Sequence, residues 1–328
     1  MYSLKILVTG GSGFIGTNLI ARLLQESGVT ILNIDINPPK NVCHQAYWEK
    51  GDILDYGFVL KIFEDFKPHM LIHMAARTDL DGTSLEDYSA NIDGVKNIIT
   101  CCNLDKTLKR ALFISSMLVC RLGYQPKNDE DYCPTTLYGE SKVMGEELVR
   151  TDIRPDLEWS ILRPTSLWGP WFDIPYRSFF DAVRSGFFMM PANIKVYRSY
   201  GFVLNSVEQI KALMDTDKIS ALYRVHYLAD HEPIELSDWA NEVIKSSGKG
   251  KIYRPPWVIL KLAAKFGDSL KYIGLKSPPL TSFRFKNMTT NAVYETGSWE
   301  NFHSDQRYSM REGVRITVDW MDGANNNP

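Results

Sequence analysis

The stretch from Leu4 to Leu24, LKILVTGGSGFIGTNLIARLL, constrains the fold more than any other part of the chain. An apolar run ends in a turn with glycines at positions 10, 13 and 16, and an amphipathic run follows. KILVTG predicts a strand. FIGTNLIARLLQES, with apolar residues at three- and four-residue spacing, predicts a helix. Glycine loses more backbone entropy on folding than any other residue, so three of them in one turn require a reason. Close approach of a ligand's phosphates to the main chain supplies one. Gly10 would allow the tight turn, Gly13 the approach, and Gly16 the packing of helix on strand. The helix opening at Phe14, Ile15 and Gly16 would offer free backbone N–H groups and a partial positive charge to an anion. The alternative is an ordinary tight turn between strand and helix.

The same alternation continues downstream. VTILNIDI reads as a strand, DYGFVLKIFEDF as a helix closed by Pro68, HMLIHMAA as a strand and YSANIDGVKNIITCCN as a helix. KRALFISSM reads as a strand, a helix opens within PTTLYGESKVMGEELVRT, and EWSILRPTSLWG is a strand running into a loop. This order predicts an α/β protein with a parallel, doubly wound sheet and helices on both faces. Past Gly169 aromatics, prolines and irregular stretches increase. VEQIKALMD and LSDWANEVIKSSG still read as helices and YRVHYLAD as a strand. We therefore expect a first lobe over residues 1–168 and a smaller α/β lobe mainly over 169–328. Residues from about 200 to 228 should cross back to the first lobe, and the tail DGANNNP should be frayed.

Composition narrows the classes of partner. A formal net charge of −2 and no dense Lys/Arg stripe give no case for nucleic acid. The start of the chain runs straight into a strand without a charged-then-apolar leader, so a cytoplasmic rather than secreted protein is expected. PPWVILKLAAKF is interrupted by Lys261 and reads as an amphipathic surface or interface helix, not a membrane span. Five cysteines without CxxC spacing and scattered histidines predict reduced thiols and no metal site.

Asp35 closes ILNID, roughly 20 residues past the glycine turn, where a dinucleotide site places its acidic residue. A carboxylate there would accept both ribose hydroxyls of NAD and repel a 2′-phosphate. Ile36 and Asn37 offer that phosphate no cation, so NAD is favoured over NADP. Otherwise Asp35 starts a turn before Pro38. LYGESK places Tyr138 and Lys142 on one helical face, about one turn apart. A free phenol has a pKa near 10. A neighbouring ammonium and a positive nicotinamide ring would lower it, and Lys142 could also hold the nicotinamide ribose. Upstream, FISSM ends a strand in hydroxyls; Ser116 is the candidate partner of a reacting oxygen, and Ser115 would cap a turn. A surface Tyr/Lys pair is the bland alternative.

Taken together, these residues resemble the extended short-chain dehydrogenases/reductases, in particular the NAD-dependent epimerase/dehydratase branch that acts on nucleotide sugars. TGGSGFIG, YGESK and ILRPTSLWGP carry the resemblance, and YRVHYLADHEPIELSDWANEV and MREGVRITVDWM extend it along the chain. It implies a Rossmann-type cofactor lobe, a sugar-nucleotide site in the cleft between the lobes, and a homodimer through a helix bundle that includes the Tyr/Lys helix. It implies that Tyr138 is the catalytic acid or base, with Lys142 and Ser116. Asp52 and Ile53 of GDI would touch adenine, Ala75 of HMAA would pass beside the cofactor, and Pro164 would follow in the next strand. Met117 and Leu118 stand where dehydratases of the family carry an acidic pair, which argues against dehydration. Ser166 replaces a frequent asparagine, Asn205-Ser206 an acidic pair, and Val119-Cys120-Arg121 a Val-Tyr-Gly.

For the sugar and diphosphate, Arg198 and Arg284 are candidates because each sits among aromatics, where guanidinium pairs with phosphate. Arg77, with Thr78, could face the sugar. Trp168 and Trp171 could wall the pocket, and Asn91 could be a buried hydrogen bonder. Three functions follow: a sugar-nucleotide epimerase reacting at C4 and serving polysaccharide biosynthesis, a 4-ketoreductase or dehydrogenase with the same residues, or a non-catalytic dinucleotide-binding protein.

Overall fold

The computed structural model describes residues 3–173, 176–272, 280–294 and 306–323; the end of the expected frayed tail, from 324 on, lies outside them. The strands, in chain order, are β1 (Leu4–Thr9), β2 (Val29–Asp35), β3 (Trp48–Lys50), β4 (Met70–His73), β5 (Arg110–Ile114), β6 (Glu158–Pro164), β7 (Ser166–Trp168), β8 (Phe188–Met189), β9 (Tyr197–Arg198), β10 (Tyr200–Phe202), β11 (Val225–Leu228), β12 (Ile234–Glu235) and β13 (Ile252–Tyr253). The helices are α1 (Phe14–Leu23), α2 (Tyr56–Phe66), α3 (Ser89–Leu104), α4 (Leu137–Asp152), α5 (Tyr176–Arg184), α6 (Val203–Asp215), α7 (Leu236–Ser247), α8 (Trp257–Tyr272), α9 (Ser282–Thr289) and α10 (Met310–Met321).

Seven strands form one sheet in the order β11-β6-β5-β4-β1-β2-β3, and every pairing in it is parallel. Both faces are covered, as an all-parallel sheet requires. Successive side chains alternate between them. Ile6 and Val8 of β1, with Ile72, Leu112 and Leu162, meet Leu19 and Ile20 of α1 and Val207 and Ile210 of α6. Leu7, with Leu71, Ala111 and Ile161, faces Val59 and Ile62 of α2, Val95 and Ile98 of α3 and Val149 of α4. The apolar strand runs in the sequence are therefore continuous, because both faces are buried.

The order reverses between β1 and β4, so the chain leaves the two strand ends in opposite directions, and ligands of such sheets bind at this switch point. Beyond Gly169 a second core gathers around Trp168, Phe180, Phe202 and Trp239. Trp168 is fully buried, 4.9 Å from the Phe202 ring centroid and 5.3 Å from that of Trp239. It is a core residue, and this corrects its candidacy as a pocket wall. The Trp171 ring lies tilted against that of Trp320, with 5.9 Å between the centroids. The five cysteines are free.

Candidate active site

The candidate residues of the first lobe gather at the C-terminal ends of parallel strands. Gly10 ends β1 with φ of +73°, and a Cβ there would lie 2.5 Å from the Ala75 nitrogen. The turn thus touches the end of β4, backbone to backbone. At Gly13 a Cβ would meet only the loop's own Gly10 oxygen, at 3.2 Å, so that side is open. Gly13 is also the N-cap of α1 and supplies no side-chain cap, which leaves first-turn N–H groups at Phe14 and Ile15 to face an anion.

Gly16 differs from expectation. Its Cβ would lie 2.5 Å from the Gly11 Cα, so it lets α1 close on its own loop and not on the strand. Gly11 and Asn33 escaped the sequence reading altogether. Asn33, buried within β2, accepts the Gly11 N–H at 2.8 Å and donates to Ser12 Oγ at 3.2 Å. A polar residue inside an apolar strand was the available signal. Asp35 accepts the Ser12 N–H at 3.1 Å and the Asn37 N–H at 2.9 Å. Burial raises its pKa, and those N–H groups act against the shift. Asp52 is exposed and accepts the Leu54 N–H at 2.9 Å, Ile53 is buried, and Pro164 ends β6. An open glycine turn, an uncapped helix start and a carboxylate on the neighbouring strand fit a dinucleotide.

Helix α4 carries the Tyr/Lys pair. Thr136 caps it by accepting the Gly139 N–H at 3.0 Å. Gly139 itself is required because a Cβ would lie 2.3 Å from the Leu118 oxygen. Tyr138 is buried and interacts with the side chain of Ser116, which follows β5. Ser116 Oγ accepts the Leu118 N–H at 3.1 Å. Burial pushes Tyr138 up to about 12, with Ser116 acting the other way. Lys142 donates to the Ile114 carbonyl at 3.0 Å. Burial brings it down to about 8, opposed by the charge of Glu146. The expected acidification of Tyr138 by Lys142 does not appear among the influences on the phenol, where loss of solvent dominates.

Ser115 was expected to cap a turn. It donates instead to Glu146 Oε1 at 2.6 Å. Glu146 and Arg163 form a buried pair at 2.7 Å, with Tyr132 donating to Glu146 Oε2 at 2.9 Å. Burial opposes the Arg163 charge and Glu146 more than restores it, so the guanidinium pKa is raised. Asn91 bonds Ser141 Oγ at 2.9 Å and both backbone groups of Arg77, which ties α3 to α4. Behind Lys142 a cavity is lined by His73, Asn91, Ser115, Lys142 and Glu146. Thr9 Oγ1 accepts N–H groups from Met74 and Ala75, so its own proton goes to His73 Nδ1 at 2.7 Å. That leaves the His73 proton on Nε2. Burial, then the Lys142 charge, lowers His73 to about 3, so the ring is neutral.

On the substrate side, Ser166 interacts with Tyr176 of α5. Tyr176 interacts electrostatically with both Tyr138 and the buried Arg198. Tyr176 was missed because its helix lies far from the catalytic motif in sequence. The structure therefore brings Ser166, Tyr176 and Arg198 to the Tyr138 side. It does not bring Arg77 there as a free cation: its guanidinium is held by Asp79 at 2.8 and 3.0 Å. Arg284 is exposed on α9, which packs on α8 through Phe285 and Leu260. The acid missing at Asn205 stands opposite it, at Asp230, which accepts the Asn205 Nδ2 hydrogen at 2.8 Å.

Comparison with known proteins agrees with this geometry. Residues 6–219 match the NAD dependent epimerase/dehydratase family. The chain is 24% identical over 323 residues to the N-acetyl-α-D-glucosaminyl-diphospho-ditrans,octacis-undecaprenol 4-epimerase of Escherichia coli O157:H7, covering 96% of this chain and 95% of that one. It is 24% identical over 337 residues to the decarboxylating sterol-4-α-carboxylate 3-dehydrogenase erg26 of Schizosaccharomyces pombe, covering 95% and 96%. In fold it is similar to the UDP-glucuronic acid 4-epimerase of Bacillus cereus in complex with NAD, with a TM-score of 0.74, 18% identity and coverage of 97% and 96%. The chain belongs to the NAD dependent epimerase/dehydratase family, as an NAD-dependent enzyme of the extended short-chain dehydrogenase/reductase type.

Proposed function

We propose that the protein is a sugar-nucleotide 4-epimerase. The observation that carries this reading is the buried Tyr138 side chain interacting with Ser116, one helical turn from a buried Lys142, at the sheet end that holds the glycine turn. When bound, NAD supplies a hydride acceptor that can return the hydride to the opposite face of the sugar carbon. Ser116 and Tyr138 hold the sugar hydroxyl, and Tyr138 takes its proton and gives it back. At neutral pH Lys142 is mostly protonated, so its charge favours the phenolate that burial alone would suppress. Gly13 and the start of α1 hold the pyrophosphate, Asp35 and Asp52 the adenosine end, and Arg198 with Ser166 the sugar diphosphate. Met117 and Leu118 supply no acid for elimination of water. We assign a homodimer through α3 and α4, which sedimentation of the purified protein tests.

A panel of UDP-, GDP-, CDP- and dTDP-sugars, followed by NADH absorbance and sugar identity together, tests the assignment. Tyr138→Phe should lower turnover by about 10²–10⁴-fold while NAD affinity stays unchanged. Retained turnover would remove Tyr138 from the reaction. A second reading, net dehydrogenation, is favoured by the sterol 3-dehydrogenase relative; stoichiometric NADH formation would select it. Because the E. coli relative acts on a sugar carried by undecaprenyl diphosphate, the panel includes a polyprenyl-diphosphate sugar.

A further inference from the structure

Helix α8 turns its apolar side away from the protein. Its buried residues, Leu260 and Ala264, form a narrow line against Leu280 and Phe285. Gly267 continues that line, where a Cβ would lie 1.7 Å from the Leu280 oxygen. On the other side Val258, Ile259, Leu262 and Phe266 are 59%, 56%, 63% and 66% exposed. At 3.6 residues per turn, positions 258, 262 and 266 stack one above another, with 259 beside them, opposite the buried line. A soluble surface helix shows the reverse pattern, and an exposed apolar stripe of this kind marks an interaction surface.

The charge around the stripe identifies the partner. From residue 249 to 272 the chain carries six lysines and arginines and one acid, Asp268, although its overall formal charge is −2. Lys249, Lys251, Arg254, Lys261 and Lys265 are exposed. Lys261 Nζ lies 4.7 Å from the Trp257 ring centroid, and Lys251 Nζ lies 5.1 Å from that of Tyr253. An apolar helical stripe flanked by lysines and by interfacial aromatics matches a helix lying in the headgroup layer of a negatively charged bilayer. Among the described residues no helix is long and apolar enough to cross a membrane. A second copy docked symmetrically on this face would bring the same cationic segment against itself, so self-association is disfavoured.

We propose that α8 and the basic strand before it seat this protein on an anionic phospholipid surface. Val258, Ile259, Leu262 and Phe266 enter the acyl boundary, and Lys261 and Lys265 meet the phosphates. This inference stands apart from the reaction proposed above. The test is co-sedimentation of the full-length protein with phosphatidylglycerol-rich vesicles and with pure phosphatidylcholine vesicles. The wild type should bind the anionic vesicles, and added salt should weaken binding. Leu262→Glu with Phe266→Glu, and separately Lys261→Glu with Lys265→Glu, should each reduce binding about tenfold or more, with circular dichroism and NAD affinity unchanged. No vesicle binding by the wild type, or equal binding by all three proteins, would overturn the proposal. So would an oligomer in solution that the Leu262→Glu/Phe266→Glu variant dissolves.

Discussion

Glu146 on α4 and Asp230 just past β11 are both carboxylates shut off from solvent, 2% and 3% exposed, yet their surroundings differ. Glu146 faces Arg163 through two hydrogen bonds, at 2.9 and 2.7 Å, and also accepts from Ser115 and Tyr132. Asp230 receives the Phe202 N–H at 3.2 Å and the Asn205 amide at 2.8 Å, both neutral. Burial therefore pushes Asp230 up to about 7, with those two bonds acting against the shift. In the first half Glu146 lies one helical turn from Lys142 and helps that amine keep its proton. In the second half a carboxyl joins β10 to α6 by hydrogen bonds, and no cation holds it ionised. The lesson is that a buried carboxyl met by a cation, as at Glu146, and one met by neutral donors, as at Asp230, sit in different fields, and that in the second burial is left to raise the pKa.

The largest effect should come from Glu146→Gln. It leaves the Arg163 guanidinium buried without its counter-ion and should destabilise the fold by about 3–5 kcal/mol. Adding Arg163→Met should recover most of that loss in thermal denaturation. A single variant as stable as the wild type would break the comparison. Asp230→Asn should act in the opposite direction. A raised folded pKa means stability that is complete below about 4 and lost as pH rises through about 7, because the unfolded chain releases the proton first. The variant should therefore match the wild type near pH 4 and exceed it by a few kcal/mol at pH 8, read from denaturant midpoints. A wild-type stability that stays flat across this window would show Asp230 to be ordinary. The smallest effect sharpens the first half alone. Ser115→Ala should lower stability by about 1–3 kcal/mol through its lost bond to a charged group and leave turnover nearly intact. Ser116→Ala should lower turnover with little change in melting temperature.

Much of the first half was legible because its signals are local. The strand period, the glycine spacing and the four-residue Tyr138–Lys142 interval each lie within one element or one turn, and the Asp35 offset lies within one strand–helix–strand unit. Gly16 was assigned the wrong neighbour because spacing shows that a close approach exists and not what approaches. Ser115 and Glu146, and Asn205 and Asp230, are pairs 31 and 25 residues apart in sequence, and no period links them. For α8, the pattern in WVILKLAAKF announced an amphipathic helix, but periodicity does not say which side meets the protein. Only the position of Leu280 and Phe285 against Leu260 decides that.

In the cofactor site proposed above, the hydrogen bond from the Ser12 main chain to Asp35 would couple two features that are usually considered separately, selectivity between dinucleotides and grip on their phosphates. An engineer who replaced Asp35 by a neutral or basic residue to admit a 2′-phosphate would also release the glycine turn from one of its anchors, leaving Asn33 to hold it. Cofactor exchange in this protein would therefore need a compensating substitution at position 12 or 33, and a single replacement at 35 would weaken both cofactors before it favoured either.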